Sequence, residues 1–349
     1  MEHLLNLSRD ALADWFAERD EPRFRADQVR RWLFQRRATD FGQMSDLGKR
    51  DREALTAQFR LWSANKVAEH RAEDGTEKVL LGLGDRQRIE CVLIRDNPRR
   101  TICISTQVGC AMGCVFCASG LDGVERNLTK GEIVEQMLRL AQHLPSEERV
   151  THIVVMGMGE PLANLRGLLP ALAEATSSDG LGISARRITI STVGLPAGIR
   201  QLAAEDHPYH LAISLHAPND ALRNELVPVN RQIGIAAIME AAEDYFQATG
   251  RRLTFEYVLL ADINDRSEHA EQLVRLLRGK TALLNVIPYN PVAGLPYATP
   301  TPRAIRRFRS ILLAGGLQVK FRQRRGDRID AACGQLRRSF ATEPVRLGT

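Results

Sequence analysis

The chain has 349 residues, 44% hydrophobic and 26% charged, the balance of an ordinary globular protein rather than a disordered or fibrous one. No apolar run approaches bilayer-spanning length, and the opening MEHLLNLSRDALADWF carries acids early and lacks the apolar core of a secretory signal. A cytoplasmic protein is expected, in which cysteines stay reduced and tend to be catalytic or metal-bound. The net charge of +6 is uneven: from Pro300 to Thr349 twelve Lys/Arg face three Asp/Glu, giving +9 there and −3 before it. That bias fits a phosphate backbone as partner; for Arg303, Arg306, Arg307 and Arg309 a solvated helix face is the plainer alternative.

Residues 1–65 read as a separate helical domain. RFRADQVRRWLFQRR puts Val29, Trp32 and Leu33 on one helix face and spreads Arg25, Arg30, Arg31, Arg36 and Arg37 over the others, which suits either nucleic-acid binding or plain packing. Residues 66–98 read as a β-hairpin linker, KVLLGLGDRQRIECVLI, turning at Gly84–Asp85. Glu90 is a carboxylate in an apolar run, so it is either a general base with a raised pKa or a surface charge on an edge strand. Cys91 beside it reads as an inert strand residue.

The next stretch, TICISTQVGCAMGCVFCASG, reads as a strand (Thr101 to Thr106) running into a loop with Cys110, Cys114 and Cys117. Three thiolates spaced C-x3-C-x2-C can each bind one iron of a four-iron, four-sulfur cube and leave the fourth iron open to a small molecule. A zinc knuckle would need a fourth ligand nearby, and the nearest downstream histidine is His152, a helix away. A ferredoxin would need a fourth cysteine, and a disulfide pair would suit a secreted chain.

From here strands and helices alternate. THIVVMGMG, RRITISTVG, YHLAISLHA, RLTFEYVLL, ALLNVIPYN and LQVKFRQRR are apolar, β-rich runs. The helix at 130–143 opens on the capping-box pair Thr129 and Glu132. Such alternation predicts a parallel sheet of six or seven strands curving toward a barrel, whose chemistry gathers at the C-terminal strand ends. Unusual residues fall there repeatedly: the cysteine loop, Gly157-Met-Gly159-Glu160-Pro161, Ser191-Thr192, Ser214-Leu215-His216, Asn264 and Asn290. One site facing the cysteines is expected.

Each motif alone leaves alternatives. GMGEP is a strand end needing glycine, or a ligand loop whose Glu160 holds an ammonium; it is no dinucleotide fingerprint, because Leu162 replaces the third glycine. His216 is a core histidine or a pocket residue, and Asn290 a turn residue or a nucleoside contact. Cys103 alternates against Ile102 and Ile104, and Cys333 lies between small neighbours in DAACGQL; a buried structural role is the default for both.

C-x3-C-x2-C resembles the radical S-adenosylmethionine (SAM) enzymes. CISTQVGCAMGCVFCA, RNLT, GMGEPLAN, ISTVG, AISLHAPND, VPVN, EYVLL…IND, NVIPYNP and DAACGQL resemble the RlmN/Cfr adenosine methyltransferases of 23S ribosomal RNA. The resemblance implies an α/β fold: a partial (β/α)6 radical SAM barrel over 99–323, preceded by the helical domain and hairpin and followed by a C-terminal segment, 324–349. It implies a [4Fe–4S] cluster on Cys110, Cys114 and Cys117 and SAM contacts at Gly159, Glu160, Ser191, Ser214, Leu215, His216 and Asn290. A methyl-carrying cysteine falls on Cys333, its resolving partner on Cys103 and a proton acceptor on Glu90. The implied partners are 23S rRNA, in some members tRNA beside the anticodon, and an electron donor such as flavodoxin or ferredoxin, for a monomer with no membrane association.

Carbon 2 of adenine lies between two ring nitrogens, so it is electron-poor and offers a sulfonium no nucleophile. The resemblance implies a route using two SAM molecules. One methylates Cys333; the other, chelated by the cluster and reduced, yields a 5′-deoxyadenosyl radical that takes hydrogen from the S-methyl group. The methylene radical adds to the ring, Glu90 removes the ring proton, and Cys103 attacks Cys333 to release product as a disulfide forms. The adenosine must be swung out of its RNA fold to react. Pro161 fits the C2 branch rather than the C8 antibiotic-resistance branch, while Ala163, Arg328 and Arg337-Arg338 depart from the commoner pattern. C8 methylation and a non-catalytic, zinc-stabilised RNA-binding protein are the rival readings.

Overall fold

In a computed structural model of the chain, residues 1–205, 209–322 and 335–336 are described. The N-terminal lobe is helical as expected. Strand β1 (Glu2–His3) leads to α1 (Arg9–Ala17), α2 (Arg25–Phe34) and α3 (Lys49–Gln58), and β2 (Phe59–Arg60) returns parallel to β1. Buried Leu12, Phe16, Val29, Leu33 and Leu55 form its core. The arginines of this lobe divide into two groups. Arg30, 6% exposed, donates to Asp179 at 2.6 Å and Glu174 at 2.7 Å, and Arg37 donates to the carbonyls of Leu144 and Pro145. Arg31 and Arg36 are exposed. Part of the basic face read from the sequence therefore fastens the lobe to the rest of the chain.

The expected hairpin linker differs in kind. Three strands, β3 (Ala64–Arg71), β4 (Glu77–Leu83) and β5 (Arg88–Asp96), run antiparallel, and β5 pairs antiparallel with β6 (Arg99–Cys103). The hairpin is thus an extension of the main sheet. Every residue of β4 is buried, which no free-standing hairpin achieves, and pairing along β6 covers the edge that a two-stranded unit would expose.

The strand before the cysteines ends at Cys103, and Gln107–Gly109 forms a separate strand, β7, paired with β8 (Val124–Asn127). Then follow α4 (Lys130–Gln142), β9 (His152–Val155), α5 (Leu165–Thr176), β10 (Ile188–Thr192), α6 (Pro196–Ala203) and β11 (His210–Ser214). Three helices, α7 (Asp220–Leu226), α8 (Asn230–Ile233) and α9 (Ile235–Thr249), lead to β12 (Leu253–Leu259), α10 (Ser267–Leu277), β13 (Ala282–Pro288), α11 (Pro302–Ala314) and β14 (Val319–Phe321). Among the described residues ten strands form one sheet in the order β14-β13-β12-β11-β10-β9-β6-β5-β4-β3. The run from β6 to β14 is parallel throughout, seven strands where six or seven were expected. The sheet keeps two unlike edges, β14 and β3, and is a partial barrel.

The capping box of α4 forms: Thr129 accepts from Glu132 N, and the Glu132 carboxylate returns to Thr129 N. Two consecutive buried residues of this helix hold different partners. Glu135 accepts from Ser63 N and Oγ at 2.8 and 2.6 Å and from Ala64 N at 3.1 Å. Gln136 brackets Ser105, accepting from its N–H at 2.8 Å and donating to its carbonyl at 3.0 Å. Among the described residues no helix is long and apolar enough to cross a membrane.

Candidate functional site

The C-terminal ends of the parallel strands open into a cleft lined by both apolar and polar side chains. Cys110, Cys114 and Cys117 stand on one wall. Their loop is fixed by backbone bonds from Cys110 N to Gly123 O, Cys117 N to Cys114 O and Val115 N to Leu226 O, at 2.9, 3.1 and 3.1 Å. Burial pushes the Cys110 thiol up to about 12 and raises Cys114 as well, so metal must displace protons on binding.

The glycines of GMGEP serve close packing. A Cβ on Gly157 would meet Ile104 O at 2.6 Å, and one on Gly159, whose φ is +102°, would meet the Gln107 side chain at 2.6 Å. This squeeze sets Glu160, 2% exposed, against the next strand end: its carboxylate accepts from Leu162 N at 3.0 Å and Val193 N at 2.9 Å. Burial pushes its pKa up to about 7, against hydrogen bonds from Val193, Thr192 and Leu162. A half-ionised, buried carboxyl of this kind is suited to a cationic ligand.

Ser191 and Ser214 line the same cleft, their hydroxyls 3.4 Å apart. His216 combines both sequence readings. It is a satisfied buried histidine, since Val258 N donates to its Nδ1 at 3.1 Å, and it is also on the cleft wall. Its φ of +60° is unusual for a residue with a side chain; Asn264 holds the turn by donating to the carbonyls of His216 and Val258. Burial, helped by Arg223, lowers the imidazole to about 3, so it stays neutral with the proton on Nε2. Phe116 of the cysteine loop meets the ring edge-on, centroids 4.9 Å apart.

Asn290 is buried on the cleft wall, and its Oδ1 has no hydrogen-bond partner, an unmet acceptor that a ligand would satisfy.

Some expected residues lie elsewhere. Leu215 is not on the wall: just past the end of β11, its side chain is fully buried in the core, between the two residues that do face the cleft. Asn264 braces rather than faces the site. Glu90 and Cys103 are not among the cleft-lining residues; they lie on the neighbouring strands β5 and β6, where Val92 pairs with Cys103. Glu90 is 2% exposed and 3.1 Å from Lys78 Nζ, which rules out the surface-charge reading. Ser105 ties its backbone to the cleft by donating to Glu90 O and accepting from Met158 N. Cys333 lies outside the described residues.

Three functional candidates escaped the sequence reading. Glu256, buried on the cleft wall, accepts from Asn285 Nδ2 at 2.8 and 3.0 Å and is raised by burial. Gln107 Oε1 receives Glu160 N at 2.8 Å. Arg223 is fully buried beside the cysteine loop. Glu256 left a legible trace, a carboxylate within the apolar FEYVLL; the other two left none.

Two family models match: the ribosomal RNA large subunit methyltransferase N-terminal domain over residues 2–61, and the radical SAM superfamily over residues 104–277. A protein of Rhodopirellula baltica described as "Probable dual-specificity RNA methyltransferase RlmN" is 64% identical over 97% of this chain and 91% of its own. The chain belongs to the RlmN family. An RlmN relative from Symbiobacterium thermophilum is 45% identical over 96% of this chain and 91% of its own. The crystal structure of a radical SAM methyltransferase from Sphaerobacter thermophilus matches with a TM-score of 0.94 at 42% identity, covering 97% of this chain and all of that one. RlmN membership brings a [4Fe–4S] cluster and SAM as cofactors, and the cleft fits both: three thiols at the rim, a buried carboxyl, paired hydroxyls and an amide oxygen lacking a partner.

Proposed function

We propose that this protein methylates carbon 2 of an adenosine in 23S rRNA, and of an adenosine beside the tRNA anticodon, through a methyl carried on Cys333. The single observation that carries the reading is the convergence of Cys110, Cys114 and Cys117 with Glu160, Ser191, Ser214, His216 and Asn290 around one cleft at the strand ends.

Cys110, Cys114 and Cys117 would hold the cluster, which when bound would supply one-electron reduction of a SAM sulfonium, with a donor such as flavodoxin or ferredoxin as the electron source. Glu160 receives the ammonium of that SAM, with Gly159 supplying the close backbone approach. Ser191 and Ser214 offer hydroxyls, Asn290 its amide, and neutral His216 an Nε2–H donor. Leu215 acts through the backbone, its N–H on Glu256 O and its carbonyl receiving Arg223 Nε. Cys333 accepts the methyl, Glu90 takes the ring proton, and Cys103 attacks the Cys333 sulfur so that a disulfide forms and the base leaves. The RNA substrate is supported by the N-terminal family match, by the names of the relatives, and by exposed Arg303, Arg306, Arg307 and Arg309 on α11.

The test is nucleoside mass spectrometry of rRNA and tRNA incubated with anaerobically reconstituted protein, SAM and a low-potential reductant. 2-Methyladenosine is expected in both. 8-Methyladenosine would overturn the regiochemistry, and unmodified RNA the activity.

A further inference from the structure

One buried charge has no role in the site described so far. Arg223 on α7 is fully buried. Its guanidinium donates to the carbonyls of Leu215, Val193 and Ser214 at 2.9, 2.6 and 3.0 Å and to Asn230 Oδ1 at 2.5 Å. All four acceptors are neutral, and among the described residues no carboxylate pairs with it directly. The acid in its network is one step removed: Asp220 Oδ1 accepts from Asn230 Nδ2 and from Ile235 N, both at 2.8 Å.

Burying a cation without an adjacent anion is costly, so its retention needs a partner. Burial pulls its pKa down to about 10, opposed by Cys114 and Asp220, and it stays charged at neutral pH. The last turn of α7 seals the cysteine loop: Leu226 O receives Val115 N, and Leu226 and Val227 pack with Phe116 against Cys114 and Cys117.

We propose that Arg223 is the fixed counter-charge of the iron–sulfur cluster, a positioning residue that ties the β10 and β11 strand ends together and eases reduction of the cluster. The inference rests on the reading that Cys110, Cys114 and Cys117 hold that cluster. Three thiolates leave a [4Fe–4S] unit with net negative charge, which grows by one on reduction. A cation fixed in a low-dielectric wall stabilises the reduced form more than the oxidised one. Asp220, relayed through Asn230, partly offsets it.

The experiment is an EPR-monitored redox titration of the full-length, anaerobically reconstituted protein without SAM, comparing wild type, Arg223→Met, Arg223→Lys and Asp220→Asn. Arg223→Met should move the cluster midpoint to more negative potential, and Arg223→Lys should stay near wild type. Asp220→Asn should move it to more positive potential, because the amide oxygen can still accept from Asn230 and Ile235 while the charge is gone. Thermal unfolding should fall in both Arg223 variants, which lose the forked hydrogen bonds; a merely structural role would lower it without separating their potentials. If Arg223→Met does not fold, Asp220→Asn decides alone, and an unchanged midpoint there overturns the proposal. Equal potentials in all variants overturn it too, whereas wild type that assembles no cluster overturns the site reading instead.

Discussion

Replacing Glu160 by glutamine should make the apo protein more stable at pH 8 and its SAM binding weaker. The carboxyl's rise from 4.5 to about 7 on burial corresponds to roughly 3 kcal/mol, at about 1.4 kcal/mol per unit. The sign follows from linkage: a carboxyl whose folded pKa is raised stabilises the fold below its unfolded value and loses that contribution as pH climbs through about 7. Glutamine removes this penalty, but its NH2 confronts either Leu162 N or Val193 N and leaves one donor unmet, at about 1–3 kcal/mol. The net gain at pH 8 is therefore about 1 kcal/mol, turning into a loss near pH 5, where the native carboxyl is already neutral. SAM binding should weaken by roughly 10- to 150-fold, the worth of a charge-assisted bond of about 1.5–3 kcal/mol. In the wild type, affinity should rise with pH toward 7 and then level, since the ammonium binds the ionised form; in the variant this dependence should vanish. Thermal shift across pH 5–8 and equilibrium dialysis of labelled SAM read the two effects. A variant less stable than wild type at pH 8, or one binding SAM as tightly, would refute the reasoning.

Cys333→Ala should abolish methylation while the reconstituted protein keeps its brown, dithionite-bleachable absorbance; turnover at the wild-type rate would remove the methyl relay. Arg30→Met should destabilise the protein by about 1.5–3 kcal/mol, the worth of its charge-assisted hydrogen bonds to Glu174 and Asp179, while Glu174 keeps Lys130. Limited proteolysis between the N-terminal lobe and the barrel should speed up accordingly, and unchanged cleavage would show that the ion pair does not hold the lobe.

The strand ends were legible because they break pattern: Cys110, Glu160, Ser191, Ser214 and His216 follow or interrupt apolar runs, and the parallel topology collects them. Periodicity found α4 and its cap for the same local reason. The three-stranded extension was half-read, because β3 (ANKVAEHR) is largely exposed and lacks the apolar density that marked β4 and β5. Leu215 shows the reverse limit. A motif names three consecutive residues, but the middle one packs into the core. Arg223 and Gln107 were invisible, since most of their hydrogen bonds run to backbone atoms, which carry no residue signature, and a sequence gives no sign that a charged side chain will be enclosed.

Glu135 and Gln136 are neighbours on α4, about 100° apart around its axis, and one grips the exit of the N-terminal lobe while the other grips the residue that precedes the thiol loop. Rotating the helix by a single residue step would unhook both at once. The spacing from the Thr129 cap to this pair is therefore a fixed gauge: side chains around it can drift, but an inserted or deleted residue would misalign the N-terminal lobe and the thiol loop together.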